Sequence, residues 1–372
     1  MRSSGGCHSR AAIDSTVGSR AISGSGICCV GGRETQRVGI VPNVEIKPTS
    51  KLVQTGDPMH CLTAKVCAGP PAVLLGLPYP APMQLLYLVF GTNIQNHFQA
   101  NFSILTFLRQ AQEALVISIL TDAPEFYRHL GAAVTVQVID KATLREWEGE
   151  FSFFWRVKIK ALEQAARQHP TLPLLYLDSD TFLYGALPAL RQQLESGHAL
   201  MHEQEGLLSA LLSKTERRMW QQVQGKVFGG VAITPQHAMW NAGAVGVPAH
   251  RNHEAIALAL RICDDLCRQQ VTPRLIEQFA LSVALAETQG LQPASPYIGH
   301  YWSTKELWNE PISRFLLTSH LQNRTLAQEL TALEAFDFQT LPIKQRVRNT
   351  QSRLENLTRR LWPPRDVEFL SL

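Results

Sequence analysis

Short apolar runs alternate with longer amphipathic segments from residue 83 onward. The apolar runs have the length and composition of buried strands, and they cover residues 85–90, 114–120, 134–139 and 174–177. The amphipathic segments place apolar side chains every three or four residues, as helices do, and they cover residues 98–112 and 153–168. Strands that alternate with helices predict an α/β fold with a doubly wound, mostly parallel sheet.

Further signals extend this pattern along the chain. A capping side chain followed by proline at residues 121–124 predicts the start of another helix. In the second half, residues 229–234 and 241–247 predict two short strands, and residues 250–270 and 273–288 predict two helices. The predicted elements together form a domain over residues 83–340.

Residues 1–82 have a different composition. They are rich in Gly, Ser, Pro and Arg, show no sustained period, and contain Tyr79 as their only aromatic residue. Such a segment buries too little apolar surface to offset the entropy lost on ordering. We therefore expect a disordered extension over residues 1–82, with Met83 close to the start of the functional protein.

Charge and apolar content limit the partners. The formal net charge is +4, which is too small to indicate nucleic acid as the main partner. Residues 341–372 predict a basic helical tail, which is either a solvated face or a peripheral contact with an anionic membrane. No run approaches the roughly 20 apolar residues that span a bilayer, and the N-terminus carries no apolar secretion signal. We expect a cytoplasmic protein whose seven cysteines are reduced thiols.

The strongest chemical signal is Asp178-Ser179-Asp180, directly after the apolar run at residues 174–177. On an extended backbone both carboxylates point to one face, about 7 Å apart. The carboxyl end of a strand is where doubly wound sheets bind ligands. Paired carboxylates there suit Mg²⁺ or Mn²⁺, which also binds substrate phosphates. The alternative is a turn or a helix cap, where Asp and Ser are also common.

Two other functions are compatible with this motif. Asp178 and Asp180 also resemble the first motif of haloacid dehalogenase-type phosphatases, which need a second acidic pair at the end of a later strand. Asp264 and Asp265 are the candidates for that pair, although they fall within a predicted helix. The chain could instead be a nucleotide-sugar binder without turnover.

The run Leu174-Leu-Tyr-Leu-Asp178-Ser179-Asp180 resembles the DxD motif of GT-A glycosyltransferases, especially the glycogenin and bacterial galactosyltransferase group. The resemblance covers residues 83 to about 310. It implies a GT-A-like fold, a divalent cation on Asp178 and Asp180, and a nucleotide-sugar donor whose diphosphate the cation contacts. Ser179 is then a donor-binding residue within the same motif.

The resemblance also implies the donor contacts. Residues 154–160 resemble the basic helix that precedes DxD in that group, so Arg156 and one of Lys158 and Lys160 are expected to face the diphosphate. Three residues after the first strand fall where the group contacts the nucleoside: Gly91, Thr92 and Asn93.

Downstream, four residues match further positions of the group. Asn241, within an Asn-x-Gly segment, is expected beside the donor sugar, and Glu277 belongs to an acidic-Gln pair near the acceptor. His300 is the implied third metal ligand, and Lys305 is implied to bind phosphate. His202 and Glu203 are additional candidates near the sugar.

The resemblance favours a hexosyltransferase that uses a uridine diphosphate sugar, with a saccharide or lipid-linked acceptor. An inverting enzyme needs a carboxylate base beside the acceptor hydroxyl, for which Glu277 is the candidate. A retaining enzyme needs no such base, and the resemblance favours that class.

Overall fold

A computed structural model of the chain describes residues 82–111, 115–345, 357–358 and 361. The expected disordered extension lies outside the described residues except for residue 82, and so does most of the predicted basic tail. Residues 341–345, where that tail begins, are not helical, whereas residues 357, 358 and 361 are.

Seven strands form the central sheet, in the order β12-β6-β11-β4-β1-β2-β3. The four strands β3, β2, β1 and β4 are parallel to one another, β11 is antiparallel to β4 and β6, and β12 is parallel to β6. Their bounds are β1 Met83–Val89, β2 Leu115–Thr121, β3 Thr135–Val138, β4 Leu174–Leu177, β6 Ala199–Met201, β11 Ala244–Val247 and β12 Leu291–Pro293. The predicted α/β class with a mostly parallel sheet is confirmed.

Six shorter strands form three two-stranded pairs outside this sheet. Their bounds are β5 Thr181–Leu183, β7 Gln204–Leu207, β8 Val227–Phe228, β9 Val231–Ala232, β10 Ala238–Trp240 and β13 Ile298–His300. β5 pairs with β13, β7 with β10, and β8 with β9, all antiparallel. The β5–β13 pair matters most for the site, because its register places His300 opposite Thr181, the residue after Asp180.

Helices cover both faces of the sheet. Their bounds are α1 Ile94–Gln110, α2 Lys141–Glu148, α3 Arg156–Gln168, α4 Leu187–Glu195, α5 Lys214–Val223, α6 Asn252–Arg268, α7 Ile276–Gln289, α8 Lys305–Leu321 and α9 Leu326–Ala332. Short 3₁₀ helices cover Pro124–Ala133, Pro273–Leu275 and Leu333–Ala335. One apolar core lies between the sheet and α3, α6 and α7, and a second lies under α1, α4 and α8.

Side-chain alternation in β1 explains the two cores. Leu85 and Tyr87 are buried in the core under α1, whereas Leu86 is buried in the core under α3. Successive residues of a strand face opposite sides of a sheet, so a strand covered on both faces is apolar at nearly every position. β4 follows the same rule, since all four of its residues are buried.

Two sequence-based expectations need correction. The segment at residues 229–234 is not one strand, because it holds the turn and the second strand of a hairpin: Gly229 and Gly230, both at positive φ, join β8 to β9. The helix predicted from residue 121 is a 3₁₀ helix without a side-chain cap. The Asp122 carboxylate accepts a hydrogen bond from the Gly91 amide instead, at 2.8 Å, and so holds the loop after β1.

No helix in the described part of the chain combines the length and apolar character needed to cross a bilayer. Cys263 and Cys267, both on α6, are free thiols, as predicted for them. The other five cysteines lie outside the described residues.

Candidate functional site

Asp178, Ser179 and Asp180 form the turn between β4 and β5. The turn is closed by the Thr181 hydroxyl, which donates to the Asp178 carbonyl at 2.8 Å. The expected extended backbone is therefore wrong, because Ser179 and Asp180 lie in a turn. The turn nevertheless brings both carboxylates toward one another and toward His300, with ligand atoms of the three side chains within 4.8 Å.

Asp180 is a buried carboxylate with two basic neighbours. Its side chain is 4% exposed, and its Oδ2 lies 3.0 Å from Lys305 Nζ and 3.4 Å from His300 Nε2. Burial raises the pKa of Asp180, but its close contacts with His300 and Lys305 outweigh that effect and hold the pKa well below its usual range. Among the described residues, none makes a hydrogen bond of good geometry to Oδ2.

The His300 ring is held on several sides. Its Nδ1 lies 3.0 Å from Asn241 Oδ1, and the edge of His202 packs against it with ring centroids 5.0 Å apart. A Cβ on Gly243 would lie 2.2 Å from His300 Cε1. Gly243 therefore leaves the space that the imidazole occupies.

Replacing Gly243 with alanine is expected to displace His300 from Asp180. The added methyl would overlap the imidazole, and a contact that short cannot persist without a movement of the ring or of the backbone. We expect at least a tenfold loss of Mn²⁺ affinity, on the scale of changes next to a ligand, measured by titration of the metal alone. Gly197→Ala is a control for a methyl group away from the site: its Cβ would meet no atom within 4 Å, and its φ of +86°, which Gly243 does not share, adds backbone strain without touching His300. Unchanged affinity in Gly243→Ala would show that the ring position is not needed.

Asp178 belongs to a chain of charged groups that runs into the protein. Its Oδ1 accepts a hydrogen bond from the Tyr176 hydroxyl at 2.7 Å and lies 3.3 Å from Lys158 Nζ. The same ammonium lies 3.3 Å from Glu277 Oε1 and donates to the Ala242 carbonyl at 3.2 Å. Lys158 thus holds two carboxylates together, one half-buried and one buried.

The pKa shifts in this chain have two opposing causes. Burial lowers the pKa of Lys158, but Asp178 and Glu277 outweigh it and raise that pKa overall. Burial raises the pKa of Glu277, and Lys158 only partly offsets that effect. The raised pKa of Lys158 keeps this ammonium charged at neutral pH, and the raised pKa of Glu277 makes its carboxylate easier to protonate than an ordinary glutamate.

Arg156 and Lys160 lie away from the two aspartates. Arg156 forms a bidentate pair with Asp264 of α6, at 2.6 Å and 3.1 Å, and donates to the Trp147 carbonyl. Lys160 pairs with Glu163 on its own helix. Of the three basic residues considered for the diphosphate, Lys158 is the one that the structure brings to Asp178.

Gly91, Thr92 and Asn93 are exposed in the loop between β1 and α1. Gly91 has a positive φ of 80°, which suits glycine because it has no Cβ. Its carbonyl accepts a hydrogen bond from His97 Nε2 at 2.7 Å. The Asn93 side chain caps α1 by accepting from the Gln95 amide, so the loop is held at both ends.

An open cleft of about 290 Å³ lies in front of the motif. Its walls combine the motif and two lysines with exposed aromatic rings: Leu88, Phe90, Asn96, Phe154, Trp155, Val157, Lys158, Tyr176, Asp178, Ser179, Asp180 and Lys305. Ser179 donates to Gln99 Oε1 at 3.3 Å, which ties the motif to α1. A larger cavity of about 480 Å³ lies between α1 and α8, but the paired aspartates belong to the smaller cleft, and we assign the chemistry there.

Some residues of the site were not predicted from the sequence. Glu205, on β7, accepts hydrogen bonds from the Asn241 side chain at 3.4 Å and from the Gln278 side chain at 3.0 Å. Trp155 at the cleft is 51% exposed, which only the structure reveals. Glu205 carries no local signal either, because its partners are distant in sequence.

His202 and Glu203 follow β6 and lie on the His300 side of the site. His202 is buried and donates to the Ile298 carbonyl at 3.2 Å. Burial, with a smaller effect from His300, lowers the pKa of His202 to about 4, so it is neutral at pH 7. Glu203 pairs with Lys344 at 3.0 Å, which fastens the end of the described C-terminal segment beside the site.

A divalent cation fits the three ligand side chains. The described residues contain one such group of three, namely Asp178, Asp180 and His300. Their spacing is close to the roughly 4–5 Å between opposite ligands of one ion, and two carboxylates with an imidazole suit Mn²⁺. Asp180 Oδ2 is buried and contacts Lys305 without a hydrogen bond of good geometry, so it keeps the capacity to bind a cation.

No family model matches the chain, and no curated protein matches it. Among solved structures, the apo form of mouse xyloside xylosyltransferase 1 is 13% identical, over 57% of this chain and 85% of that chain, with a TM-score of 0.40. The galactosyltransferase LgtC, in complex with donor and acceptor sugar analogs, is 10% identical over 57% and 73%, with a TM-score of 0.38. An active-site mutant of LgtC is 9% identical over 57% and 72%, with a TM-score of 0.40. At these levels of similarity, the function has to follow from the residues of the site.

Proposed function

We propose that the protein is a metal-dependent glycosyltransferase of the GT-A type. It would move a hexose from a nucleotide diphosphate sugar, with uridine diphosphate as the expected carrier, to a saccharide or lipid-linked acceptor. The observation that supports this most directly is the meeting of Asp178, Asp180 and His300 at the carboxyl end of β4. A divalent cation on these ligands would offset the charge of a departing diphosphate.

The cationic side chains at the cleft support an anionic ligand. Lys305 is 43% exposed and its ammonium lies beside Asp180, so it can reach a phosphate that enters the cleft. Lys158 is buried behind Asp178 and adds positive charge to the cleft wall. Preorganised charges of this kind stabilise a leaving group without rearrangement during the reaction.

The cleft also suits a nucleoside. Phe154 and Trp155 are 45% and 51% exposed beside the charged groups. Exposed aromatic rings provide flat surfaces on which a base can stack. The loop that carries Gly91, Thr92 and Asn93 remains the proposed nucleoside contact, since it follows β1 at the same edge of the sheet.

Glu277 favours a retaining reaction over an inverting one. Its side chain is 10% exposed and its Oε1 contacts Lys158, so little of the carboxylate is open to an acceptor hydroxyl. An inverting enzyme requires a base within hydrogen-bond reach of that hydroxyl. We propose that Glu277 serves to keep Lys158 charged and in place beside Asp178.

The phosphatase alternative lacks its second acidic pair. Asp264 and Asp265 lie on α6, where Asp264 pairs with Arg156 and Asp265 accepts from the Gly229 amide and pairs with Arg268. Neither carboxylate belongs to the group around Asp178 and Asp180.

Release of nucleoside diphosphate tests the proposal. The full chain is incubated with uridine diphosphate hexoses, with Mn²⁺ or with EDTA, and the released diphosphate is measured with and without saccharide acceptors. We expect release with Mn²⁺ and its loss with EDTA, because the ion neutralises the leaving group. A thermal-shift screen identifies the donor, since a ligand at 100 times its Kd adds about 2.7 kcal/mol of stability.

The alternatives give different results in the same assay. A binder would show a thermal shift without release of diphosphate. A phosphatase would release inorganic phosphate from simple phosphomonoesters. Either outcome contradicts the transferase.

A further inference from the structure

The Asn241 amide has a fixed orientation. Its Oδ1 lies 3.0 Å from the Gly243 backbone nitrogen, which can only donate. The atom that faces this N–H must therefore be the oxygen, and a flipped amide would set two donors against each other. The nitrogen of the amide then points away, toward Glu205 Oε1 at 3.4 Å.

This orientation determines which nitrogen of His300 carries the proton. His300 Nδ1 lies 3.0 Å from the same Asn241 oxygen. A carbonyl oxygen accepts and never donates, so Nδ1 must hold a hydrogen. A neutral imidazole has one N–H, and Nε2 is therefore the nitrogen with the free lone pair.

The free lone pair faces the metal site. His300 Nε2 lies 3.4 Å from Asp180 Oδ2, so in the neutral ring two acceptors face each other. Such a pair is favourable when a proton or a metal ion lies between the two atoms, so a divalent cation can take the place of the proton. The ring cannot turn easily, because it fills the space over Gly243 and packs against His202.

We propose that Asn241 is a positioning residue that presents His300 Nε2, unprotonated, to the divalent cation held with Asp178 and Asp180. This inference rests on the metal site of the proposed function. Asn241 would affect the metal ion by holding His300. This role differs from the contact with the donor sugar that the resemblance implies for Asn241. Partners of this kind, bonded to the other nitrogen of a ligand histidine, typically contribute 10- to 100-fold to metal affinity.

Mn²⁺ alone, titrated into the metal-free full chain, tests the proposal without substrate. N241L keeps the approximate volume of the side chain and removes its acceptor, and we expect about a 10- to 100-fold weaker Kd. N241D keeps a side-chain oxygen that can accept a hydrogen bond from His300 Nδ1. The added substitution E205Q places an amide N–H, in place of a second carboxylate, opposite the new aspartate. We expect N241D with E205Q to bind Mn²⁺ with an affinity within about tenfold of wild type.

The tautomer is a second readout that a packing role would not change. In 15N NMR of the metal-free wild-type protein, we expect the neutral form of His300 to carry its proton on Nδ1. In N241L, we expect the neutral His300 ring to populate both tautomers. In N241D, the carboxylate oxygen should restore the tautomer that is protonated at Nδ1. Circular dichroism verifies that each variant is folded.

The outcomes separate this inference from the proposed function. A wild-type protein that binds no Mn²⁺ would overturn both. Mn²⁺ binding that N241L leaves unchanged would overturn the role of Asn241 and leave the metal site in place. If N241L does not fold, a neutral wild-type ring that carries its proton on Nε2 would by itself overturn the inference.

Discussion

Replacing Asp180 with asparagine is expected to lower the rate of sugar transfer at least about a hundredfold. The metal ion supplies several kcal/mol of charge stabilisation, and each 1.36 kcal/mol corresponds to a tenfold change in rate. Asparagine has the shape of aspartate but lacks its charge, so the group of Asp178, Asp180 and His300 loses its most buried anionic ligand. The measurement is kcat for diphosphate release, together with Mn²⁺ affinity.

The protein should stay folded in this variant. Lys305, which loses its partner, is 43% exposed and can be hydrated, so little uncompensated charge is buried. Asp140→Asn is a matched control, because Asp140 caps α2 outside the site and asparagine also caps helices well. A D180N protein with wild-type kcat and Mn²⁺ affinity would contradict both the metal site and the transferase.

Replacing Lys158 with methionine is expected to destabilise the protein by about 3 kcal/mol at pH 7.5. Lys158 is the shared cation of Asp178 and Glu277, and Glu277 is only 10% exposed. Breaking a buried ion pair by removing one partner typically costs about 3–5 kcal/mol. Protonation of Glu277 limits the loss, so we expect the lower end. Urea unfolding at fixed temperature measures the free energy.

The pH dependence of this loss has a definite sign. Without Lys158, the pKa of Glu277 rises further above its unfolded value, so the native state takes up the proton first as pH falls. The destabilisation should therefore be smaller at pH 5 than at pH 7.5. K158M with E277L should recover part of the stability, since removing both charges of a buried pair is often close to neutral.

Lys160→Met is the matched control for this variant. Lys160 pairs with Glu163 on the same helix, and both side chains keep partial access to solvent, at 20% and 16% exposure, so we expect a smaller loss than for Lys158. Equal losses of stability in the two variants would show that Lys158 does not act through the buried carboxylates.

The position of Lys158 on α3 could be predicted in part from the sequence. Lys158 precedes Ala161, Leu162 and Ala165 at helical spacing, which places it on the apolar face that packs against the sheet. This phase distinguishes Lys158 from its basic neighbours, and the signal is present in the sequence. The carboxylates that compensate a buried lysine come from other elements, and no local pattern identifies them.

The position of His300, in contrast, could not be predicted from local sequence patterns. It lies at the end of β13, a strand of three residues that pairs with the three residues of β5. Strands this short have too few positions for a period of two to be detected. The match between His300 and a metal ligand came from a resemblance, and its distance from Asp180 depends on a strand pairing between distant parts of the chain.

By itself, the sequence determined the α/β class, the order of the first strands and helices, and the position of two aspartates at the end of an apolar strand. These properties follow from local periodicity and from the rule that parallel strands open their carboxyl ends to ligands. The tertiary structure alone decided that the motif is a turn, that His300 and Lys305 meet Asp180, and that Lys158 reaches Asp178 while Arg156 pairs with Asp264. The physical reason is that the energy of a charged group depends on which other charges lie close to it in space. The separation of two residues along the sequence does not give that distance.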